Sequence, residues 1–230
     1  MNIRMQIRPA RLLMTAVAVV GALEASPLHG QAPSADSLAL SLQKRYATIR
    51  DFRASFTHEV QGSVLRTLRT TERGELKVKK PGRVWMTYGP PQKKTFVADG
   101  TYVYTYINSD RTGTRGPMPK GDDLTVAILF LAGRGDLVKD FRASIPDEQP
   151  AGEWQLDLVP LKRQEDVATL TLFVDRGNLV LRGLTTTDHM GGTFRFRFTD
   201  IHENVGLKDS DFNFKFPRGT NVIDNGRVQK

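Results

Sequence analysis

The chain has 230 residues, contains no cysteine and carries a formal net charge of +8. This length suits a single domain, since all-β folds often reach about 200–250 residues without splitting. Without cysteine the chain can neither form disulfides nor carry a lipid on a thiol, which excludes a disulfide-held scaffold and a lipid-anchored lipoprotein.

Residues 1–30 predict a signal for export. Arg4, Arg8 and Arg11 precede an apolar run over residues 12–23, after which a glutamate, a proline and small residues follow. This is the layout of a secretory signal peptide, and the run is too short to anchor the chain in a bilayer. We therefore expect a signal peptide over 1–30, cleaved between 25 and 32, and one domain over 33–230 that is soluble in the bacterial periplasm.

The positive charge is open to two interpretations. Removing residues 1–30 takes away three arginines and one glutamate, so the charge falls from +8 to +6. Such a surplus attracts anionic lipid or nucleic acid, or simply keeps a protein soluble. Because export separates the chain from nucleic acid, we expect no nucleic-acid partner.

A helix is predicted over residues 36–50. Asp36 is a suitable N-cap, because a carboxylate there meets the free amides of the first turn. The apolar residues of this segment fall at helical spacings of four, four and three, at Leu38, Leu42, Tyr46 and Ile49.

From residue 51 the apolar period changes to two, which predicts strands with one wet face. Asp99-Gly100 predicts a hairpin turn of type I′, and residues 175–178 predict a second hairpin. The alternating positions are Leu76, Val78, Val84, Met86, Tyr88, Leu170, Leu172, Val174, Phe194, Phe196, Phe198, Phe212, Phe214 and Phe216.

The strand rhythm breaks between residues 108 and 141. Residues 108–121, rich in glycine, proline and charge, predict a long loop of the kind that is often functional. Residues 124–131 are almost wholly apolar, and acidic residues before them with Gly133 after them predict a helix. A second short helix is predicted over 136–141.

Many strands and few helices leave three architectures open. Each strand offers one apolar face, and only two or three short helices are available to cover it. A closed barrel with a filled core, two packed sheets, or a half-open barrel roofed by helices over an apolar cavity would satisfy this pattern.

The sequence offers little for catalysis. His58, His189 and His202 are the histidines outside the predicted signal peptide, and no motif for a nucleophile, a phosphate loop or a metal site is present. We interpret Asp188-His189 as part of a hairpin loop, Asp122-Asp123 as helix capping and His58 as a solvated strand residue. No enzymatic activity, catalytic residue, metal or cofactor is expected.

Several stretches resemble the LolA family of outer-membrane lipoprotein carriers. They are residues 74–83 (GELKVKKPGR), 88–91 (YGPP) and 97–100 (VADG), with 52–57 (FRASFT) upstream and 212–219 (FNFKFPRG) followed by Val222 downstream. The stretches occur in order over nearly all of the predicted domain. The resemblance implies a mainly β fold, an incomplete antiparallel β-barrel or half-barrel, with a lid of two or three short helices enclosing an apolar cavity.

The resemblance also implies a function. A family member is a monomeric periplasmic chaperone that carries triacylated lipoproteins from an inner-membrane ABC transporter complex to an outer-membrane lipoprotein receptor. Burial of an acyl chain is worth about 0.8 kcal/mol per methylene, so such a carrier must shelter the chains from water. The alternatives are a periplasmic lipid-sensing regulatory protein and a carrier of other lipids on the same fold. The regulators add a second domain, which we do not expect here.

Lys80 is the position of most interest in the expected site. Strand parity places it with Leu76 and Val78, where the family commonly has an arginine that bonds backbone carbonyls of the lid and holds it shut. We expect Lys80 to act as this latch or to be an ordinary lysine at a strand end. The expected lining of the cavity and lid consists of Phe56, Leu76, Val78, Val84, Met86, Tyr88, Leu124, Ile128, Leu131, Phe194, Phe196 and Phe198.

Trp85 departs from the family pattern, in which tryptophan is usual at the position of Met86. Because side chains alternate along a strand, the shift puts the indole on the opposite face unless a bulge restores it. The sequence leaves these two outcomes open.

Overall fold

The computed structural model describes residues 1, 32–62, 69–118, 133, 135–164 and 167–226. The predicted signal peptide at 2–30 and the predicted lid helix at 124–131, with Leu124, Ile128 and Leu131, lie outside these ranges. Within them the helices are α1 (Ala35–Ala47), α2 (Leu137–Asp140) and a 3-10 helix (Asp209–Phe212). The strands are β1 (Asp51–Gln61), β2 (Arg69–Lys79), β3 (Arg83–Tyr88), β4 (Lys94–Asp99), β5 (Tyr102–Ile107), β6 (Thr112–Pro117), β7 (Phe141–Ser144), β8 (Glu153–Pro160), β9 (Thr169–Asp175), β10 (Leu181–Thr187), β11 (Thr193–Glu203) and β12 (Asn221–Asp224).

Within the described ranges the strands form one open sheet, in the order β12-β6-β5-β4-β3-β2-β1-β11-β10-β9-β8-β7. Every pair is antiparallel except β12 with β6. The helices α1 and α2 join the same buried cluster as one face of this sheet. The expected mainly β half-barrel with a helical cover is confirmed. None of the helices in these ranges is both long and apolar enough to cross a membrane.

The helix α1 begins earlier and ends earlier than predicted. Ser34, not Asp36, is the N-cap, and its hydroxyl accepts a hydrogen bond from the backbone N–H of Ser37 at 3.2 Å. Ser34 has the extended backbone that a cap requires, whereas Asp36 already lies in the first helical turn. Leu38, Leu42 and Tyr46 are buried as predicted.

One face of the sheet, called here the apolar face, carries the core. Alternation along β2 and β3 places Leu76, Val78 and Val84 there, and all three are almost fully buried. Continuous register between the two strands brings Val78 opposite Val84 and Leu76 opposite Met86. Burying each such side chain stabilises the fold by about 1.5–3 kcal/mol.

The opposite face has a smaller aromatic cluster that the sequence did not predict. Phe212 lies in the 3-10 helix and is fully buried, while Phe214 and Phe216 lie in irregular chain, so the strand predicted at 212–216 is wrong. The ring of Phe214 contacts Trp85 and Tyr104 at centroid distances of 5.8 and 5.5 Å. These rings lie over the sheet instead of extending it.

The loop predicted over 108–121 is mostly wrong. A short turn containing Arg111, with φ of 50°, leads directly into β6, and residues 119–121 lie outside the described ranges. The type I′ turn at Asp99-Gly100 is also wrong, because only Gly100 of that pair has positive φ, at 97°. The Asp99 carboxylate instead accepts hydrogen bonds from the N–H groups of Thr101 and Tyr102, each at 2.7 Å.

The remaining turns and the second helix agree with the sequence. The hairpin predicted at 175–178 joins β9 to β10. The helix predicted at 136–141 is α2, and Asp136 caps it by accepting hydrogen bonds from Val138 and Lys139.

Candidate functional site

The apolar face changes from buried to exposed along β11. Phe198 is 5% exposed, Phe196 is partly buried and Phe194 is 43% exposed. The rings of Phe196 and Phe198 stack at a centroid distance of 6.2 Å. A continuous aromatic row therefore runs from the core to the surface.

The buried end of this row lies beneath α1. Tyr46 of α1 and Phe52, Leu181 and Phe198 of the sheet line part of a cavity of about 10 Å³, roughly the space of one water-sized sphere. The backbone N–H of Leu181 donates to the hydroxyl of Tyr46 at 3.2 Å. No acyl chain fits in that space while α1 is docked on it.

The predicted lining residues lie on the apolar face wherever the structure describes them. Phe194 and Phe196 retain exposed surface, whereas the others are buried in the core. Those buried members are Phe56, Leu76, Val78, Val84, Met86, Tyr88 and Phe198. Leu124, Ile128 and Leu131 are outside the described residues.

Lys80 connects the end of β2 to the end of α1. Its ammonium donates a hydrogen bond to the backbone carbonyl of Tyr46 and lies 5.6 Å from the centroid of that ring. Its backbone N–H donates to the carbonyl of Arg50 at 2.9 Å. Burial of the ammonium lowers the pKa of Lys80. The latch remains a prediction, and its partner would be the C-terminal turn of α1.

Arg45 anchors the same end of α1. Its guanidinium donates to both carboxylate oxygens of Glu203, at 2.9 and 2.7 Å, and to the carbonyl of Asn178 at 2.6 Å. The bond to Glu203 raises the pKa of Arg45. Two-pronged bonding of this kind fixes the position of a helix better than a single contact does.

Trp85 lies on the face opposite to Met86. The pairing of β3 with β2 and β4 is continuous, so no bulge returns the indole to the apolar face. Its ring nitrogen donates to the hydroxyl of Thr87 at 3.0 Å, and its ring contacts Phe214 at 5.8 Å. The apolar face at this position is therefore formed by methionine.

His58 is buried, not solvated as predicted. It is 8% exposed, and its ring stacks on that of Phe196 with a centroid distance of 4.1 Å and an interplanar angle of 4°. Its Nδ1 lies 3.4 Å from the hydroxyl oxygen of Tyr88 and 3.7 Å from the carboxylate of Glu72. Strand parity with Phe56 was the available signal for this placement.

An ion pair completes the group around His58. Lys94 Nζ donates to the carboxylate of Glu72 at 2.7 Å and lies 4.3 Å from the centroid of the Tyr88 ring. Burial lowers the pKa of His58 to about 4, with Glu72 opposing the shift and Lys94 adding to it. Burial, assisted by Glu72, raises the pKa of Tyr88. The imidazole is therefore neutral at pH 7.

The second histidine candidate forms a turn. Asp188 accepts hydrogen bonds from the N–H groups of Met190 and Gly192, each at 2.8 Å, in the hairpin between β10 and β11. His189 Nε2 lies 2.7 Å from the carbonyl of Gln164. These contacts account for the pair as the predicted hairpin loop.

The described geometry defines a class of protein: an open β-sheet whose apolar face is covered by helices at one end and exposes aromatic rings at the other. Residues 47–215 match the family described as outer membrane lipoprotein carrier protein LolA. The chain belongs to this family.

The similar proteins span most of the chain. An outer-membrane lipoprotein carrier protein of Chromohalobacter salexigens is 27% identical over 209 residues, covering 90% of this chain and 95% of the relative. One from Nitrosomonas europaea is 26% identical, covering 75% of this chain and 82% of the relative. An uncharacterized conserved protein from Thermus thermophilus shares the fold, with a TM-score of 0.51, 11% identity, and coverage of 81% of this chain and 98% of that one.

Proposed function

We propose that this protein is a periplasmic carrier of lipoproteins that shelters their acyl chains against the apolar face of the sheet. The observation that supports it most is the aromatic row of β11, which leaves the core and ends at an exposed Phe194. The names of the relatives, outer-membrane lipoprotein carriers, give the class of cargo.

The carrier works by exchanging one apolar cover for another. Without cargo, α1 occupies its part of the apolar face. An entering acyl chain displaces that cover and the predicted helix at 124–131, and takes over the burial of the same surface. Since a ligand shifts an equilibrium only by its differential affinity for the two states, the closed state must be stable yet close in energy to the open one.

Lys80 sets part of that balance. Its bond to the carbonyl of Tyr46 exists only while α1 lies on the sheet. Hydrogen bonds from charged groups are worth about 1.5–3 kcal/mol, so loss of this one favours the open state by roughly tenfold or more. A weakened closed state retains cargo, because closing helps to expel it.

The route follows from the same proposal. Cargo is received from an inner-membrane ABC transporter complex and passed to an outer-membrane lipoprotein receptor, with the carrier acting as a monomer and without catalysis. Each acceptor must offer the acyl chains a better apolar environment than the carrier does.

Mass spectrometry of the mature protein purified from its native envelope tests the class of cargo. We expect co-purified triacylated protein, whereas free lipid alone would point to a carrier of other lipids.

The Lys80→Leu variant tests the latch. We expect it to retain a triacylated lipopeptide about tenfold longer during transfer to acceptor vesicles. Lys77→Leu, which removes a lysine of the opposite parity on β2, is the control and should transfer normally. Normal transfer by Lys80→Leu would refute the latch.

A further inference from the structure

We propose that His58, Tyr88, Glu72 and Lys94 form a polar subsite on the apolar face that binds a carbonyl group of an acyl linkage. This inference rests on the proposed function, because the acylated cargo supplies the ligand. The subsite would hold the polar end of an acyl chain while the tail extends over the aromatic row of β11.

The position of the group suits this role. His58 pairs with Phe196 on β11 and with Glu72 on β2, so it lies within the apolar face and not at its edge strands. The exposed Phe194 stacks 6.3 Å from the His58 ring. Polar atoms therefore lie at the border between the buried and the exposed parts of the face, where the head of a partly sheltered lipid would come to rest.

The hydrogen bonding of the imidazole identifies the ligand chemistry. The Tyr88 hydroxyl is the nearest partner of Nδ1, at 3.4 Å, and a phenol O–H that donates there leaves the proton of the neutral ring on Nε2. Nε2 is buried and has no hydrogen-bond partner in the part of the chain that the structure describes. A buried N–H without an acceptor is costly, and a carbonyl oxygen among acyl chains is an acceptor that needs no counter-charge.

The charges nearby favour a neutral ligand over an anionic headgroup. Glu72 and Lys94 neutralise each other at 2.7 Å, and both side chains are mostly buried. The pKa of His58, near 4, keeps the ring uncharged at pH 7. A phosphate or carboxylate would meet the Glu72 carboxylate without a surplus of positive charge, whereas an ester or amide carbonyl meets a donor and no net charge.

The test compares two tripalmitoylated lipopeptides, one with ester-linked glyceryl chains and one with the same chains linked as ethers. An entirely apolar wall prefers the ether, because it has fewer carbonyls to desolvate. The subsite reverses this order, and we expect the wild-type protein to bind the ester about tenfold more tightly in calorimetric titrations. The His58→Phe variant should lose that preference, and His58→Gln should keep part of it through its amide N–H.

His202→Phe is the matched control, since His202 is an exposed histidine of β11. It should leave the ester preference unchanged. Equal binding of both lipopeptides by the wild type, or a preference that survives in folded His58→Phe, would overturn the subsite and leave the carrier proposal standing. Failure to bind either lipopeptide would overturn both. If His58→Phe does not fold, as judged by circular dichroism, the wild-type preference and the His58→Gln variant decide.

Discussion

Acidification should destabilise this protein through His58. The pKa of the buried ring is about 4, against an ordinary value of 6.5, so between these pH values the unfolded chain binds a proton that the folded chain does not. Stability therefore falls as the pH drops from about 6.5 towards 4. At about 1.36 kcal/mol per pKa unit the upper limit is about 3 kcal/mol, and partial solvent access reduces it to roughly 2 kcal/mol.

The groups that face His58 determine this sign. Glu72 of β2 favours the protonated ring, whereas Lys94 of β4 and burial oppose it, and Tyr88 of β3 is uncharged at these pH values. The aromatic neighbours on β11 carry no charge. Burial is the largest cause, so the net effect is destabilisation in acid.

Urea unfolding between pH 7.5 and 4.5 measures the effect. The wild type should lose roughly 2 kcal/mol of unfolding free energy relative to His58→Phe over this interval, because the variant has no ring to protonate. Comparing the two proteins cancels the contributions of the other titrating groups, and His202→Phe controls for loss of an exposed histidine. Parallel curves for wild type and His58→Phe would refute the buried placement of the ring.

Two further predictions concern packing, and urea unfolding measures both. Phe212→Ala should lower the unfolding free energy by about 3–5 kcal/mol, because the ring is fully buried against the side of the sheet opposite to the apolar face; a change within about 0.5 kcal/mol would contradict that placement. Gly74→Ala should cost about 1–3 kcal/mol or more, since a Cβ there would lie 2.1 Å from the carbonyl oxygen of Thr87 and 2.6 Å from the Phe56 ring. Gly89→Ala, where the nearest atom would be 3.5 Å away, is the control, and equal costs at the two glycines would argue against the close approach.

The strands of the apolar face could be predicted because their alternation has only one reasonable cause. Leu76 and Val78 on β2 and Val84 and Met86 on β3 are separated by polar residues or by Trp85, and all four are buried. A period of two with one apolar face follows directly from the pleat of a strand. Register added nothing that the pattern had not already indicated at these positions.

The same period gave the wrong structure at residues 212–216. An extended segment that lies across a sheet buries alternate rings just as a strand within the sheet does. Phe214 and Phe216 contact each other at 5.0 Å, and both pack near Tyr104. The pattern reports which residues are buried, whereas strand pairing depends on where the backbone hydrogen bonds go, and that is not encoded locally.

His58 was misplaced for a different reason. Alternation put it on the same side as Phe56, but its polarity suggested solvent. Its burial depends on Tyr88 and Lys94, which are 30 or more residues away and become neighbours only through the pairing of strands. A polar residue on an apolar face is informative once the register shows what surrounds it.

The energies of opening are compatible with a carrier. Lifting α1 exposes Leu38 and Leu42, each worth about 1.5–3 kcal/mol, and breaks the polar contacts of Arg45 and Lys80. An acyl chain returns about 0.8 kcal/mol for each methylene that it buries, so roughly two to four methylenes offset each displaced leucine. A long chain therefore has enough apolar length to replace the helix with only a moderate surplus. The polar contacts at the end of α1 can then decide whether cargo is held or released, because they are of the same size as that surplus.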